Sequence, residues 1–189
     1  MSTPIQQVPL VDHDDLLVEA NLFAGYPKKF LEIDFQNWKN LTPQYQATEK
    51  RPAQHKNWPW DTYACYATIN GKSDCFYWIE YNNEIQGIML AFKTSDIFSI
   101  KFLSTAPWNY FCDKSRGCYR GVGKVLVAAA VAESFDVGCC GRVLLNSLPQ
   151  STEFYSHLGF AQTGNVDKEG LPEFLLTEAA ANNIWNPLH

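Results

Sequence analysis

Arg116-Gly-Cys-Tyr-Arg-Gly-Val-Gly-Lys124 is the most informative stretch of the sequence, and an Ala- and Val-rich run ending at Gly138 follows it. Gly121 and Gly123 stand at the start of a run whose apolar residues recur at helical spacing. Glycine lets the backbone approach a ligand closely. The first turn of a helix carries free N–H groups at the positive end of its dipole. Together these features predict a cradle for a phosphate group.

Basic residues gather around these glycines although the chain is acidic, with a formal net charge of −5 and a pI of about 5.3. The basic cluster consists of Lys114, Arg116, Arg120 and Lys124. A local positive charge on an acidic protein favours an anionic ligand at that place, the alternative being a solvated loop with chance charges.

Two common phosphate-binding loops do not fit this stretch. A magnesium-nucleotide loop needs glycine at Cys118 and a hydroxyl at Val125. A dinucleotide fingerprint needs a third glycine where Leu126 stands, and no early βαβ unit precedes it. The stretch therefore matches neither of these two loops.

Cys118-Tyr-Arg-Gly-Val-Gly123 resembles the pattern [Q/R]-x-x-G-x-[G/A] that opens the coenzyme-binding helix of the GNAT superfamily of acyl-CoA-dependent N-acyltransferases. It matches at both glycines and differs at the first position, where Cys118 replaces Gln or Arg. The segment Phe154-Tyr-Ser-His-Leu-Gly-Phe160 follows in the expected order and resembles the superfamily's FYxxxGF segment. Ala106-Pro-Trp-Asn109 and Ser147-Leu-Pro-Gln150 add a likeness to a bacterial GNAT group, and the resemblance covers roughly residues 75–177.

The resemblance implies an α+β fold, with a central mixed and mostly antiparallel sheet flanked by helices and splayed at the coenzyme-binding strands. It implies one acyl-CoA-binding acyltransferase domain over residues 1–189. Residues 1–70 would be a helical acceptor-side region, and residues 75–177 would hold the core sheet and the coenzyme motif.

The implied activity is transfer of an acetyl group from acetyl-CoA to a primary amine of a small molecule or a protein. Direct attack in a ternary complex is favoured because no histidine is visible that would pair with Cys118 as a nucleophile. A coenzyme-A-binding regulatory or interaction module without turnover is the alternative, and a purely structural protein-binding domain ranks third.

The resemblance also assigns site residues. The coenzyme-binding set is Leu103, Ser104, Thr105, Cys118, Tyr119, Arg120, Gly121, Val122, Gly123, Lys124 and Asn146. Asn146 would orient the pantetheine arm or the adjoining helix, or else form a turn. Tyr155 would protonate the departing thiolate, since a phenol with a pKa near ~10 can donate to it; the alternative is a tyrosine packed beside Phe154.

The general base is left open by the sequence. Glu80, Glu84 and Glu173 are carboxylates near predicted strands, and a chain of water molecules could serve instead. No metal is expected, because Asp12-His-Asp-Asp15 is better explained as the cap of a helix that Leu16, Leu17 and Ala20 begin.

Periodicity and turn residues predict the remaining elements. Strands are predicted at residues 75–81, 85–92, 97–105 and 142–147, followed by an antiparallel pair at 160–163 and 171–177. Helices are predicted from Asp34 to Leu41, at residues 60–69, at 122–135 and from Pro149 to His157. A loop is expected over residues 49–59 and a tail over 178–189.

The composition and the N-terminal sequence indicate where the protein is located. The N-terminus lacks a basic stretch followed by an apolar core, and no apolar run approaches the ~20 residues of a membrane span. The six cysteines show no zinc spacing, so reduced thiols and a cytoplasmic location are expected. The acidic pI argues against nucleic-acid binding. An exposed edge of the final strand pair would offer a surface for a homodimer.

Overall fold

The computed structural model describes residues 4–48 and 59–185. Within these residues the strands are β1 (Gln6–Val11), β2 (Leu17–Gly25), β3 (Phe76–Tyr81), β4 (Glu84–Thr94), β5 (Ile97–Thr105), β6 (Val143–Asn146), β7 (Ala161–Val166) and β8 (Pro172–Leu176). The α-helices are α1 (Phe35–Thr48), α2 (Trp60–Ile69), α3 (Pro107–Tyr110), α4 (Val122–Asp136), α5 (Thr152–His157) and α6 (Glu178–Trp185).

The strands form one eight-stranded sheet in the order β1-β2-β3-β4-β5-β6-β8-β7. β5 and β6 pair in parallel, whereas β1 with β2, β2 with β3, β6 with β8 and β7 with β8 pair antiparallel. The parallel ladder joins residues 98–100 to 143–145, and β5 then runs on to Thr105. The predicted mixed, mostly antiparallel sheet flanked by helices is thus confirmed.

Backbone proximity divides the chain into two compact units. The first unit comprises Met1–Met89 and Leu103–Leu126, and the second comprises Leu90–Phe102 and Val127–His189. Each is described below by itself.

The first unit begins with a β-hairpin, so the helix predicted to start at Leu16 is wrong. Within β2, Ala20 and Leu22 are buried while Glu19 is exposed, and this alternation has the period of a strand. Asp12 caps no helix: its Oδ1 accepts hydrogen bonds from the backbone N–H groups of Asp14 and Leu16, each at 2.9 Å, and closes the β1–β2 turn. The helical region predicted over residues 1–70 therefore starts only after β2.

After this hairpin, the start and end predicted for the helix at residues 34–41 are wrong, whereas the helix predicted at residues 60–69 is confirmed. A π-helix at Phe30–Asp34 leads directly into α1, which continues through the exposed Pro43 to Thr48. Asp34 therefore ends the π-helix instead of capping α1, and Pro43 does not end α1. α2 has the predicted bounds. Apart from Pro59, the loop predicted over residues 49–59 lies outside the described residues.

Aromatic side chains form the core of the first unit. Phe30, Trp38 and Trp60 are at most 1% exposed. The Phe30 ring lies 4.9 Å from that of Trp38 and 6.5 Å from that of Trp60, and Trp38 meets Trp108 edge-on at 6.1 Å. Burial of this size makes these aromatic residues core and not ligand contacts.

The second unit has its core on one face of its strands. Phe98 and Ile100 of β5, Val143 and Leu145 of β6, and Phe174 and Leu176 of β8 are all at most 4% exposed. Val143 and Leu145 pair directly with Leu176 and Phe174, so the sheet register fixes this face.

The tail predicted over residues 178–189 is wrong within the described residues, because α6 occupies Glu178–Trp185. Thr177 Oγ1 accepts from the Ala180 N–H at 3.4 Å and opens this helix. Ala181 is fully buried, and a Cβ added to Gly141 would lie only 2.7 Å from the Ala181 Cβ. Small residues on both sides thus let α6 pack closely.

No helix of the described residues is long and apolar enough to cross a membrane.

Candidate active site

A cradle of backbone donors opens α4. Gly121 O accepts from Val125 N at 2.9 Å, which is the first bond of the helix. The N–H groups of Val122, Gly123 and Lys124 precede that bond and so have no acceptor within the helix. Gly121 has φ +92° and no atom within 4 Å of the place where a Cβ would be. A phosphate group fits this arrangement, since open space, free donors and the helix dipole coincide.

Close packing against β4 sets the position of this helix end. A Cβ added to Gly87 would lie 2.4 Å from Val122 Cγ1 and 3.2 Å from Ser104 O. Only glycine therefore allows β4, the first turn of α4 and the end of β5 to approach this closely. Gly87 was not among the residues predicted from the sequence, although a glycine inside an apolar strand pattern is a signal of close approach.

The end of β5 is held by a buried glutamine. Ala106 N donates to Gln86 O at 2.8 Å, directly after Leu103, Ser104 and Thr105. Gln86 Oε1 also accepts from Trp108 Nε1 and from Asn109 Nδ2, each at 3.0 Å. Gln86 is 1% exposed, so these bonds fix α3 to β4 and with it the direction of the chain that leaves β5.

Asn109 connects α3 to the loop that precedes the cradle. Its Oδ1 accepts from the Tyr119 N–H at 2.8 Å, and its carbonyl oxygen accepts a weak bond from Cys118 Sγ at 3.9 Å. An isolated antiparallel bridge pairs Arg120 with Val11 of β1 through N···O distances of 2.7 and 3.2 Å. The loop is thus anchored on both sides before Gly121 begins the turn into α4.

The basic cluster lies on the surface. Lys114, Arg120 and Lys124 are exposed. The Arg120 guanidinium forms an ion pair with Asp15 of the β1–β2 turn. Asp15 is therefore an anion already seated on one of the cations predicted to attract a phosphate.

Cys118 is unsuited to nucleophilic catalysis. The side chain is 1% exposed. Burial, followed by a hydrogen bond with the neighbouring Cys112 thiol, raises the pKa of Cys118 to about 12. A thiol that stays protonated at neutral pH is a poor nucleophile.

The second unit holds the two other predicted site residues. Asn146 ends β6, and its Nδ2 donates to Leu171 O at 3.1 Å, so the amide ties β6 to the segment entering β8. Tyr155 is 8% exposed, with its ring 5.1 Å from Phe154 and 5.6 Å from Phe160. Burial raises the pKa of Tyr155, which keeps the phenol protonated at neutral pH.

The carboxylates near the strands differ in environment. Burial raises the pKa of Asp34, with Lys29 opposing this and Glu80 and Glu84 adding to it. Lys29 Nζ lies 3.8 Å from Glu80 Oε1. Among the described residues, the buried Oδ2 atom of Asp34 has no hydrogen-bond partner. Asp34 was not named as a candidate base from the sequence, because this grouping arises only when the π-helix meets the β3–β4 end.

Glu173, in the second unit, is held as an ionised carboxylate. Hydrogen bonds from Asn165 Nδ2 at 3.0 Å and Thr163 Oγ1 at 2.7 Å lower the pKa of Glu173. A lower pKa makes this carboxylate a weaker base than Asp34. No group of three His, Cys, Asp or Glu side chains in the described part of the chain is arranged to hold a metal ion.

The first unit therefore brings together the predicted coenzyme segments at the end of β5 and at the start of α4. A mixed, mostly antiparallel sheet flanked by helices, with a glycine turn leading into α4, is the architecture expected of an acyl-CoA-dependent acyltransferase. The model of the acetyltransferase (GNAT) family matches residues 34–160, more than half of the chain. The chain belongs to this family.

Solved structures support the same fold. An N-acetyltransferase from Staphylococcus aureus Mu50 aligns with a TM-score of 0.53 at 14% identity, over 85% of this chain and 99% of that one. PaiA N-acetyltransferase from Thermoplasma acidophilum, solved in complex with coenzyme A, aligns with a TM-score of 0.54 at 12% identity, over 84% of this chain and 98% of that one. The ribosomal-protein-S18-alanine N-acetyltransferase from Escherichia coli aligns with a TM-score of 0.51 at 13% identity, over 82% of this chain and 90% of that one. A search of the curated proteins finds no significant match.

Proposed function

We propose that this protein is an N-acetyltransferase that transfers an acetyl group from acetyl-CoA to a primary amine of a small molecule or a protein. The observation that carries the proposal is the cradle at Gly121, where free N–H groups, open space and the helix dipole coincide. Membership of the acetyltransferase family supports acetyl-CoA as the acetyl donor. A protein of similar fold that was solved in complex with coenzyme A agrees with this choice.

The first unit is assigned to binding of the coenzyme. The N–H groups of Val122, Gly123 and Lys124 would receive the pyrophosphate, and Arg120 would exchange Asp15 for a phosphate oxygen. The backbone of Leu103, Ser104 and Thr105 would hold the pantetheine arm, as the resemblance implies. Cys118 and Tyr119 contribute their backbone to the same loop.

The chemistry is assigned to direct attack of the amine on the thioester in a ternary complex. The protonated phenol of Tyr155 would give its proton to the departing thiolate. The raised pKa of Asp34 favours this carboxylate, beside Glu80 and Glu84, as acceptor of the amine proton. The buried thiol of Cys118 speaks against an acetyl-cysteine intermediate. Asn146 is assigned to orienting the pantetheine arm while its amide holds Leu171.

Coenzyme binding is tested first by thermal unfolding with and without acetyl-CoA, on the wild type, Gly121→Ala and Gly123→Glu. Ligand at ~100 times its dissociation constant adds about 2.7 kcal/mol to the free energy of unfolding and raises the midpoint. Gly164→Ala is the matched control for Gly121→Ala, because Gly164 has φ +90° and equally open surroundings. We expect a rise for the wild type and Gly164→Ala, and a lost or much smaller rise for the two cradle variants. A folded wild type without any rise would refute the proposal.

Turnover separates the proposal from its alternative, a coenzyme-A-binding module without catalysis. The protein is incubated with acetyl-CoA and each member of a panel of primary amines and basic peptides, and the thiol of the released coenzyme A is measured. One acceptor whose acetylation is lowered by Tyr155→Phe would exclude the alternative. Tight coenzyme binding with no thiol release across the panel would favour it.

A further inference from the structure

One face of the sheet in the second unit carries a row of three polar side chains. Asn146 of β6 pairs directly with Glu173 of β8. Ile100 and Leu145 are the last pair of the parallel ladder between β5 and β6, so Lys101 and Asn146 are the next residues of these strands. Each of the three adjoins a buried apolar residue of its own strand. Because side chains alternate along a strand, all three lie on the face opposite the core.

This polar row has a positive end and a negative end. Lys101 and Asn146 are exposed and Glu173 is half-buried, so a ligand can reach all three. Lys101 and Glu173 are two strand spacings apart, roughly 10 Å at the backbone. In the part of the chain that the structure describes, neither of them forms an ion pair. A cation and an anion are thus held apart on one rigid surface.

The carboxylate of Glu173 is fixed at one oxygen and open at the other. Thr163 Oγ1 donates to Oε1 at 2.7 Å, and Asn165 Nδ2 donates to the same oxygen at 3.0 Å. Within residues 4–48 and 59–185, Oε2 accepts no hydrogen bond. A carboxylate held in place with free lone pairs is prepared to accept from an ammonium group.

The ammonium group of Lys101 is available in the same way. Its Nζ lies 5.7 Å from the centroid of the Phe92 ring, and no described residue accepts a hydrogen bond from it. Partial burial lowers the pKa of Lys101, and the charge of Glu173 opposes that shift. The charged form has therefore lost solvation, and an anion bound beside Nζ would stabilise it.

We propose that the polar row binds a diamino acid of the lysine type, with the α-carboxylate of the ligand on Lys101 and its α-ammonium on Glu173 Oε2. An amino acid with a single amine would have that amine engaged by Glu173, so the reacting group is a second, side-chain amine. The ligand has a net charge of +1, which agrees with the acidic charge of the chain.

This role depends on the proposed function, because acetyl-CoA supplies the acetyl group. The side-chain ammonium of the ligand first loses a proton and becomes a neutral amine. Its nitrogen then attacks the carbonyl carbon of the thioester. A C–N bond forms, the C–S bond breaks, the nitrogen loses a second proton, and the thiolate of coenzyme A gains one.

Calorimetric titration of the full chain, with coenzyme A present, tests binding without turnover. The probes are L-lysine, cadaverine, which lacks the carboxylate, and 6-aminohexanoate, which lacks the α-ammonium. L-Lysine should bind at least about tenfold more tightly than either, since each of the others lacks one charge-assisted hydrogen bond. Lys101→Met should remove the advantage over cadaverine, and Glu173→Gln the advantage over 6-aminohexanoate.

Two control variants remove the same charges from exposed positions outside the row. Lys168→Met and Glu169→Gln should keep both advantages of L-lysine. Every comparison is a ratio of affinities within one preparation, so partial unfolding of a variant does not change it. Equal affinity of the wild type for the three probes, or loss of the advantages in the control variants, would overturn the polar row as the binding site.

Turnover with acetyl-CoA distinguishes this inference from the proposed function. L-Lysine should have a kcat/KM at least about tenfold above that of cadaverine, with the acetyl group on the side-chain nitrogen by mass spectrometry. Acetylation of cadaverine with the same kcat/KM as L-lysine would overturn the polar row and leave the proposed function. Tight binding of L-lysine without acetylation of any amine would support the row and refute the proposed function. Acetylation of the α-nitrogen would overturn the placement of the α-ammonium on Glu173.

Discussion

Single residues in this protein are defined by what surrounds them more than by their type. Cys118 and Tyr155 are both reactive side chains in principle, and burial raises the pKa of each. The result is opposite for the two roles that the sequence raised. A buried thiol is lost as a nucleophile, whereas a buried phenol keeps the proton that the role proposed for Tyr155 requires.

The burial of Tyr155 predicts a dependence of stability on alkaline pH. The pKa of this phenol is raised in the fold and is near ~10 in the unfolded chain. The contribution to stability is complete below that value and is lost as the pH rises toward the folded pKa. Above pH ~10 the unfolded chain releases the proton while the fold keeps it, so the free energy of unfolding should fall by about 1.4 kcal/mol per pH unit from this group.

Denaturant unfolding between pH ~8.5 and ~11 measures this slope. Tyr155→Phe should show a shallower fall than the wild type. Tyr66→Phe removes a phenol that is 50% exposed, and it should keep the slope of the wild type. Equal slopes for the wild type and Tyr155→Phe would contradict the prediction.

At the scale of elements, the position of α4 depends on one contact with β4. Gly87→Ala would place a methyl group 2.4 Å from Val122 Cγ1, so the first turn of α4 must shift or Val122 must change rotamer. Overpacking of this kind costs about 1–3 kcal/mol. We expect Gly87→Ala to lower the unfolding midpoint and also to weaken binding of acetyl-CoA, because the cradle is part of the displaced turn.

Gly138→Ala is the control at the opposite end of α4. Gly138 has φ +77° and open surroundings, so the substitution strains the backbone without touching the cradle. It should lower stability and leave the affinity for acetyl-CoA unchanged. Equal losses of affinity in the two variants would show that general destabilisation, and not the position of α4, is responsible.

The same contact shows what sequence patterns can predict. α2, β5 and most of α4 were predicted because periodicity and glycine or asparagine stops encode them locally. β2 was missed because an acidic cluster ahead of Leu16 imitates a helix cap, while its pairing with β1 and β3 is a tertiary property. The glycine turn was found from spacing, whereas the contact of Gly87 with Val122 exists only after folding.

At the scale of the whole molecule, the net charge of −5 should favour the approach of cationic acceptors under the proposed function. An acidic protein attracts cations over a distance that salt sets, about 30 Å at 0.01 M and about 8 Å at 0.15 M ionic strength. The carboxylates of Asp34, Glu80 and Glu84 add a local group of the same sign. A polyamine or a basic peptide is therefore the acceptor class that the charge of the protein favours.

The prediction concerns kcat/KM for the acceptor at saturating acetyl-CoA. A polyamine should have a higher kcat/KM than a neutral primary amine of similar length at about 0.01 M ionic strength, and should lose most of that advantage by about 0.15 M. The neutral amine is the internal control, because its kcat/KM should change little with salt. If the polyamine kept its advantage at the higher ionic strength, shape or specific contacts in the site would govern acceptor choice. Electrostatic attraction is strongest at low salt, because it is screened least there. If both amines had the same kcat/KM at low salt, the acidic charge would have no part in recognising the acceptor.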